Sequence, residues 1–146
     1  MISLMNITEK KGSADKQVIL YFSWPIGDVV NDGIDNDIYV GEYAVVSYPS
    51  LDDWLDIVVK LGHRSFFSNM SKAYRQIPVY PGDVGFIGYS WRGYIFINCV
   101  LSFGFRSSAH ICQRVTYAIA FIFINAVFFI INYLSDFTEG KDRKSV

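Results

Sequence analysis

Seventeen consecutive residues without a charge, 118–134, AIAFIFINAVFFIINYL, limit what this chain can become more than any other stretch. A helix needs about 20 predominantly apolar residues to span a bilayer, so the run is nearly long enough to do so. Its internal chemistry points to a protein core instead. Asn125 and Asn132 interrupt it, its second half is β-branched and aromatic, and no basic residue lies closer on its N-terminal side than Arg114. The expectation is a helix from Ser107 or Ser108 to about Ile124, carrying Ile111, Val115 and Ile119 on one face with the serines as caps. A continuous apolar strand follows over residues 127–133. A membrane span near 118–134 is the alternative.

The rest of the composition is that of a folded domain. The chain has 146 residues, 51% of them apolar and 17% aromatic, which excludes a disordered chain and suits one domain with a real core. Its cysteines, Cys99 and Cys112, form no CxxC, and with only His63 and His110 nearby they are expected as reduced core thiols. No basic, apolar and small-residue signal opens the chain, so an intracellular protein is expected rather than a secreted one. Net charge is −1, but residues 1–59 carry ten acids and three bases, whereas residues 60–116 carry seven bases and Asp83 alone as an acid. Lys60, Arg64, Lys72, Arg75, Arg92, Arg106 and Arg114 could face nucleic-acid phosphates, since phosphate neutralisation is the main sequence-independent source of such affinity. Ordinary solvated surface is the plainer reading of the same residues.

Along the chain, residues 1–15 lack strong periodicity and are expected as a flexible lead-in. The run QVILYFSWP, residues 17–25, has the character of a strand ended by Pro25, and the Gly-, Asp- and Asn-rich stretch 27–37 that of a loop. Ser50 and Asp53 predict a capping box. Leu51, Trp54, Leu55, Val58 and Leu61 then fall on one helical face, expected as core, before Gly62 stops the helix. The acids Asp52, Asp53 and Asp56 suit the helix dipole better than a metal. Residues 66–70 read as a strand, 71–76 as a turn or short helix, and 86–89 with 94–98 as a hairpin around Arg92 and Gly93.

Three stretches carry a resemblance: FFSNMSKAYRQIPVYP at 66–81, LSFGFRSS at 101–108 and NYLSDF at 132–137. With residues 17–25, NDGI at 31–34, the helix before Gly62 and WRGYIF at 91–96, they resemble, in order and spacing, a retrotransposon reverse transcriptase over residues 16–137. The fold so implied is α+β, a right-hand polymerase fingers/palm fragment whose antiparallel palm sheet packs on helices, followed by a disordered tail at 138–146. The resemblance also implies an RNA-directed DNA polymerase, a nucleotidyltransferase that works on an RNA or DNA template-primer and deoxynucleoside triphosphates with Mg²⁺. The chain ends nine residues beyond Phe137, so a fragment is expected, without the thumb or ribonuclease H portion of such enzymes and with an incomplete second strand after YLSDF.

Nucleotidyl transfer of this kind uses two magnesium ions, and hard cations want carboxylate oxygens. The resemblance places the first metal-binding aspartate at Asn69 and an adjacent pair at Ser135 and Asp136, so only Asp136 keeps a carboxylate for catalysis or metal. Three negative charges drop to one. Removing even one well-placed electrostatic contributor typically costs on the order of a hundredfold in rate, so impaired catalysis is expected. The same resemblance sets Tyr74 under the sugar of an incoming nucleotide, and Phe103 and Gly104 against nucleotide and template, with core aromatics as the plainer reading of Tyr74 and Phe103. Gln17 stands where the family offers an arginine to the triphosphate, and Ser102 and Ala109 where it often has prolines. A non-catalytic nucleic-acid-binding remnant is the alternative function.

Overall fold

The computed structural model describes residues 2–9, 14, 16–23, 27, 29–34, 38–39, 42–43, 46–126 and 128–141. The chain is α+β and separates into two compact units, one built from Met1–Ala44 with Tyr74–Ser108, the other from Val45–Ala73 with Ala109–Val146. The chain leaves the first unit after residue 44 and returns to it at Tyr74.

In the first unit, strands β1 (Ile2–Glu9), β2 (Lys16–Tyr21), β6 (Gly88–Trp91) and β7 (Tyr94–Ile97) form a sheet of order β2-β1-β6-β7. Strand β1 pairs antiparallel with β2 from Leu4↔Tyr21 to Glu9↔Lys16 and parallel with β6 at Ile2↔Gly88 and Ser3↔Tyr89. The expectation of a flexible lead-in fails here, because ladder partners on both edges order a segment that has little periodicity of its own. The β6–β7 hairpin turns at Arg92 and Gly93, with φ of 50° and 80°, the left-handed pair that a two-residue turn between twisted strands requires. Two short strands, β3 (Ile38–Tyr39) and β4 (Glu42–Tyr43), pair separately.

Leu20, Phe22 and Ile87 form this unit's core, with Met5, Val18, Val30, Val79, Tyr89 and Phe105 packed against them. The loop assigned to residues 27–37 contains a 3₁₀ turn, Val30–Gly33, and its Asn31 is buried. Asn31 Nδ2 donates to Ser23 Oγ and to the Gly104 carbonyl, both at 2.8 Å, while Oδ1 accepts the Arg106 N–H at 2.8 Å. One amide thus ties the end of β2 to the segment around Gly104, and nothing in local sequence marks it out from other loop asparagines.

The second unit holds α1 (Leu51–Leu61), β5 (Phe66–Asn69), α2 (Ser108–Asn125, whose first residue belongs to the first unit), β8 (Phe128–Tyr133) and β9 (Asp136–Lys141), with sheet order β5-β9-β8. Its capping box forms as expected. Ser50 Oγ accepts Asp53 N–H at 3.1 Å, and Asp53 Oδ2 accepts Ser50 N–H at 2.8 Å. The apolar face of α1 is rotated from the expected one: Leu61 is buried and Trp54 and Val58 are half-buried, but Leu51 and Leu55 are 75% and 50% exposed. Periodicity gives the width of the stripe, whereas the docking of α1 on β8 and β9 selects which part is covered. Gly140 lets β9 approach the end of α1 and the turn after it closely, since a Cβ there would lie 2.8 Å from Leu61 Cδ1 and 2.7 Å from the Arg64 carbonyl oxygen.

The uncharged run divides into helix and strand as expected. Asn125 ends α2, its Nδ2 donating to the Phe121 carbonyl at 2.8 Å, and β8 begins three residues later. Among the described residues no helix is long and apolar enough to cross a membrane. Strand β9 starts at Asp136 and runs to Lys141, so residues 138–141 of the expected tail are strand, ordered by pairing with both β5 and β8. Residues 142–146 lie outside the described part.

A buried polar network joins α2 to the β8–β9 hairpin. Asn132 Nδ2 donates to Thr116 Oγ1 at 3.0 Å, Thr116 Oγ1 donates to the Gln113 carbonyl at 3.0 Å, and Gln113 Oε1 accepts the Leu134 N–H at 2.9 Å. Thr116→Val keeps the shape but strands the Asn132 amide, so urea unfolding should show a loss of about 1–3 kcal/mol. The cysteines differ from the expectation of two core thiols: Cys112 is fully buried, but Cys99 is exposed. Burial also pushes the Cys112 thiol above its ordinary pKa. Under native conditions near neutral pH, a thiol reagent should therefore modify Cys99 alone, with Cys112 reacting only on unfolding, as read by mass spectrometry of labelled peptides.

Candidate functional site

Asn69 is the last residue of β5 and Asp136 the first of β9, and the two are register partners although 67 positions apart. Asn69 Nδ2 donates to Asp136 Oδ1 at 2.5 Å and reaches Ser135 Oγ at 3.3 Å. The Met70 N–H donates to the Ser135 carbonyl at 2.7 Å, closing the end of the ladder. Asn69, Ser135 and Asp136 therefore meet at one corner of the β5-β9-β8 sheet. Ser135 sits in the two-residue turn between Tyr133 and Asp136, and Leu134 holds a positive φ of 50° there.

This corner carries one negative charge. An ionised Asp136 can only accept hydrogen bonds, so the Asn69 amide presents N–H to it and supplies the positive end of a dipole where an aspartate would demand a cation. The chemistry suits a lone carboxylate held by a hydrogen bond rather than a pair of divalent ions. Magnesium wants octahedral oxygen ligands, with carboxylates among them. Here a single carboxylate is joined by a hydroxyl and by an amide whose donor side faces inward, and that set does not fit a two-metal centre. Among the described residues no group of three or more Asp, Glu, His or Cys side chains is placed to hold a metal. A cavity of about 200 Å³ adjoins the corner, lined by Ser68, Asn69, Met70, Ile119, Phe123 and Phe137.

Tyr74, Phe103 and Gly104 belong to the first unit, as does the strand position of Gln17 opposite Thr8. The Tyr74 and Phe103 rings lie 4.5 Å apart between centroids at 50°. Tyr74 is half-buried and Phe103 46% exposed, so neither is a fully enclosed core aromatic. Gly104 has φ of 88°, and a Cβ on it would stand 2.7 Å from the Leu20 carbonyl oxygen. That close approach to β2 demands glycine whatever ligand the segment meets. Leu101, Ser102 and Phe103 join Val18, Arg75 and Tyr89 around a small cavity of about 60 Å³.

The seven basic residues divide between the units, Arg75, Arg92 and Arg106 in the first and Lys60, Arg64, Lys72 and Arg114 in the second. Several already have local partners. The Arg106 guanidinium donates to the Ile34 carbonyl at 2.9 Å, Arg92 lies over the Trp91 ring at 4.5 Å, and Lys60 over Phe129 at 3.8 Å. Asn31 and Gln113, which fix the Gly104 segment and the Leu134 turn, were not singled out from the sequence. Gly104 and Arg106 lie 73 and 75 positions from Asn31, and Leu134 lies 21 positions from Gln113.

Compared with known protein families and with curated protein sequences, the chain matches none.

Asn69→Asp tests the electrostatic reading of the corner. Two carboxylates at hydrogen-bond distance repel unless they share a proton or bind a cation. The variant should lose about 1.5–3 kcal/mol near neutral pH, the scale of a hydrogen bond to a charged group. Millimolar Mg²⁺ or Mn²⁺ should restore its melting temperature while leaving the native chain unchanged in differential scanning fluorimetry.

Proposed function

We propose that this chain is a remnant of a reverse-transcriptase fingers and palm, an RNA-directed DNA polymerase by descent that has lost polymerase chemistry. One observation carries the reading. The positions that the sequence resemblance equates with the metal-binding acids, Asn69, Ser135 and Asp136, come together at a sheet corner through β5 and a tight hairpin. Sequence motifs chosen by chance would have no reason to converge across 66 and 67 positions. The antiparallel β5-β9-β8 sheet with α2 leading into its hairpin also supports a palm-like arrangement.

With one carboxylate in place of three, the corner cannot offset the charge of two divalent ions and a triphosphate, so transition-state stabilisation of nucleotidyl transfer is lost. What such a remnant keeps is contact with template-primer backbone through exposed bases such as Lys72, Arg75 and Arg114. Primer extension in Mg²⁺ tests the reading. The native chain should give no product and the double variant Asn69→Asp/Ser135→Asp should give a detectable one. Extension by the native chain would overturn the loss of chemistry. A native chain whose affinity for a primer-template duplex does not fall with rising salt would overturn retained backbone contact.

A further inference from the structure

The second unit contains a larger cavity, about 530 Å³, away from the residues of the Asn69 corner and within the usual size of small-molecule sites. Segment 47–49 and Asp53 at the start of α1, the C-terminal half of α2 and strand β8 line it as an open groove. Its apolar wall is Tyr48, Tyr117, Phe121, Ile124, Ile130 and Ile131, so the uncharged run supplies much of the lining. We propose that this cavity binds a small organic cation, an alkyl- or arylammonium whose apolar body rests on the isoleucines and whose charge meets the tyrosine faces and the Asp53 carboxylate.

The charges around the cavity complement a cation. Among the described lining residues none is basic, and the one ionised group is Asp53. Both hydrogen bonds that Asp53 receives from Ser50 fall on Oδ2, which fixes the carboxylate at the mouth without supplying a positive charge. Tyr48 and Tyr133 rings lie 4.4 Å apart at 37°, and the Tyr117 hydroxyl donates to the Ser47 carbonyl at 2.7 Å, so the aromatic walls are held rather than free to turn away. Burial, followed by the neighbouring hydroxyls of Tyr133 and Tyr117, pushes the Tyr48 phenol above its ordinary pKa. A cation gains from aromatic faces and from the carboxylate together. The unit already seats one ammonium this way, Lys60 over Phe129.

The experiment is an NMR titration of the full chain with benzyltrimethylammonium and choline, against the uncharged dimethylbutanol isostere of choline and against phenylacetate. Saturable shifts should map to Tyr48, Tyr117 and Phe121, with choline bound about tenfold more tightly than its isostere and phenylacetate bound least. Tyr48→Leu should narrow the gap between choline and its isostere, leaving the part that Asp53 supplies. Asp53→Asn, which keeps the Ser50 cap acceptor, should weaken the cations and leave the isostere unaffected, with circular dichroism verifying the fold of both variants. Equal affinity of choline and its isostere for the native chain, shifts centred elsewhere, or no saturable binding by any probe would each overturn the proposal. None of these outcomes bears on the Asn69 corner.

Discussion

The hydrogen bond from the Leu134 N–H to the buried Gln113 side chain is the contact on which the second unit's geometry turns. Leucine at positive φ is strained by roughly 1–2 kcal/mol, and a residue holds such a conformation only where its surroundings over-determine it. Gln113 does so from α2, while Asn132 and Thr116 lock the same helix to β8 one layer away. The turn then presents Ser135 and Asp136 at the start of β9, opposite Asn69. The network is not fully satisfied, because Gln113 Nε2 is buried without a hydrogen-bond partner among the described residues. Each such group costs on the order of 1–3 kcal/mol, so the network specifies one arrangement of helix and hairpin more than it adds stability.

Replacing an acid by an amide changes what a sheet corner can tolerate. Two or three carboxylates held at hydrogen-bond distance need a cation or a proton to stay together. With asparagine at 69 the same backbone brings a donor to an acceptor, so the corner is at rest without an ion. An amide at 69 therefore lets the corner fold without an ion, where an acid there would call for one.

Large apolar side chains remain uncovered in both units. On β7, at the edge of its sheet, Tyr94, Ile95, Phe96 and Ile97 are all exposed, and on α2 so are Phe121, Ile122 and Ile124. An edge strand protected by neither a charge nor a proline is a surface on which chains adhere to each other. Composition alone would have assigned such residues to a core. In a chain that divides into two units, each with a small core, there is less interior than the apolar content would fill.

The sequence by itself determined the features that depend on neighbours a few residues apart. These are the Ser50–Asp53 capping box, the hairpin at Arg92 and Gly93, the helix that ends at Asn125, and the strand that follows. Only the tertiary structure decided that residues 2–9 form a strand, that Leu51 and Leu55 lie on the outside of α1, that residues 138–141 extend a ladder, and that Asn31 and Gln113 each hold a distant segment. It also decided how the Asn69 corner is wired: the motifs named its three residues, but the amide donating to the carboxylate follows from register. The division has a physical cause. Caps and turns are settled by hydrogen bonds within one or two turns of chain, whereas ladders, buried amides and the choice of helix face are settled by partners that folding brings in from tens of residues away.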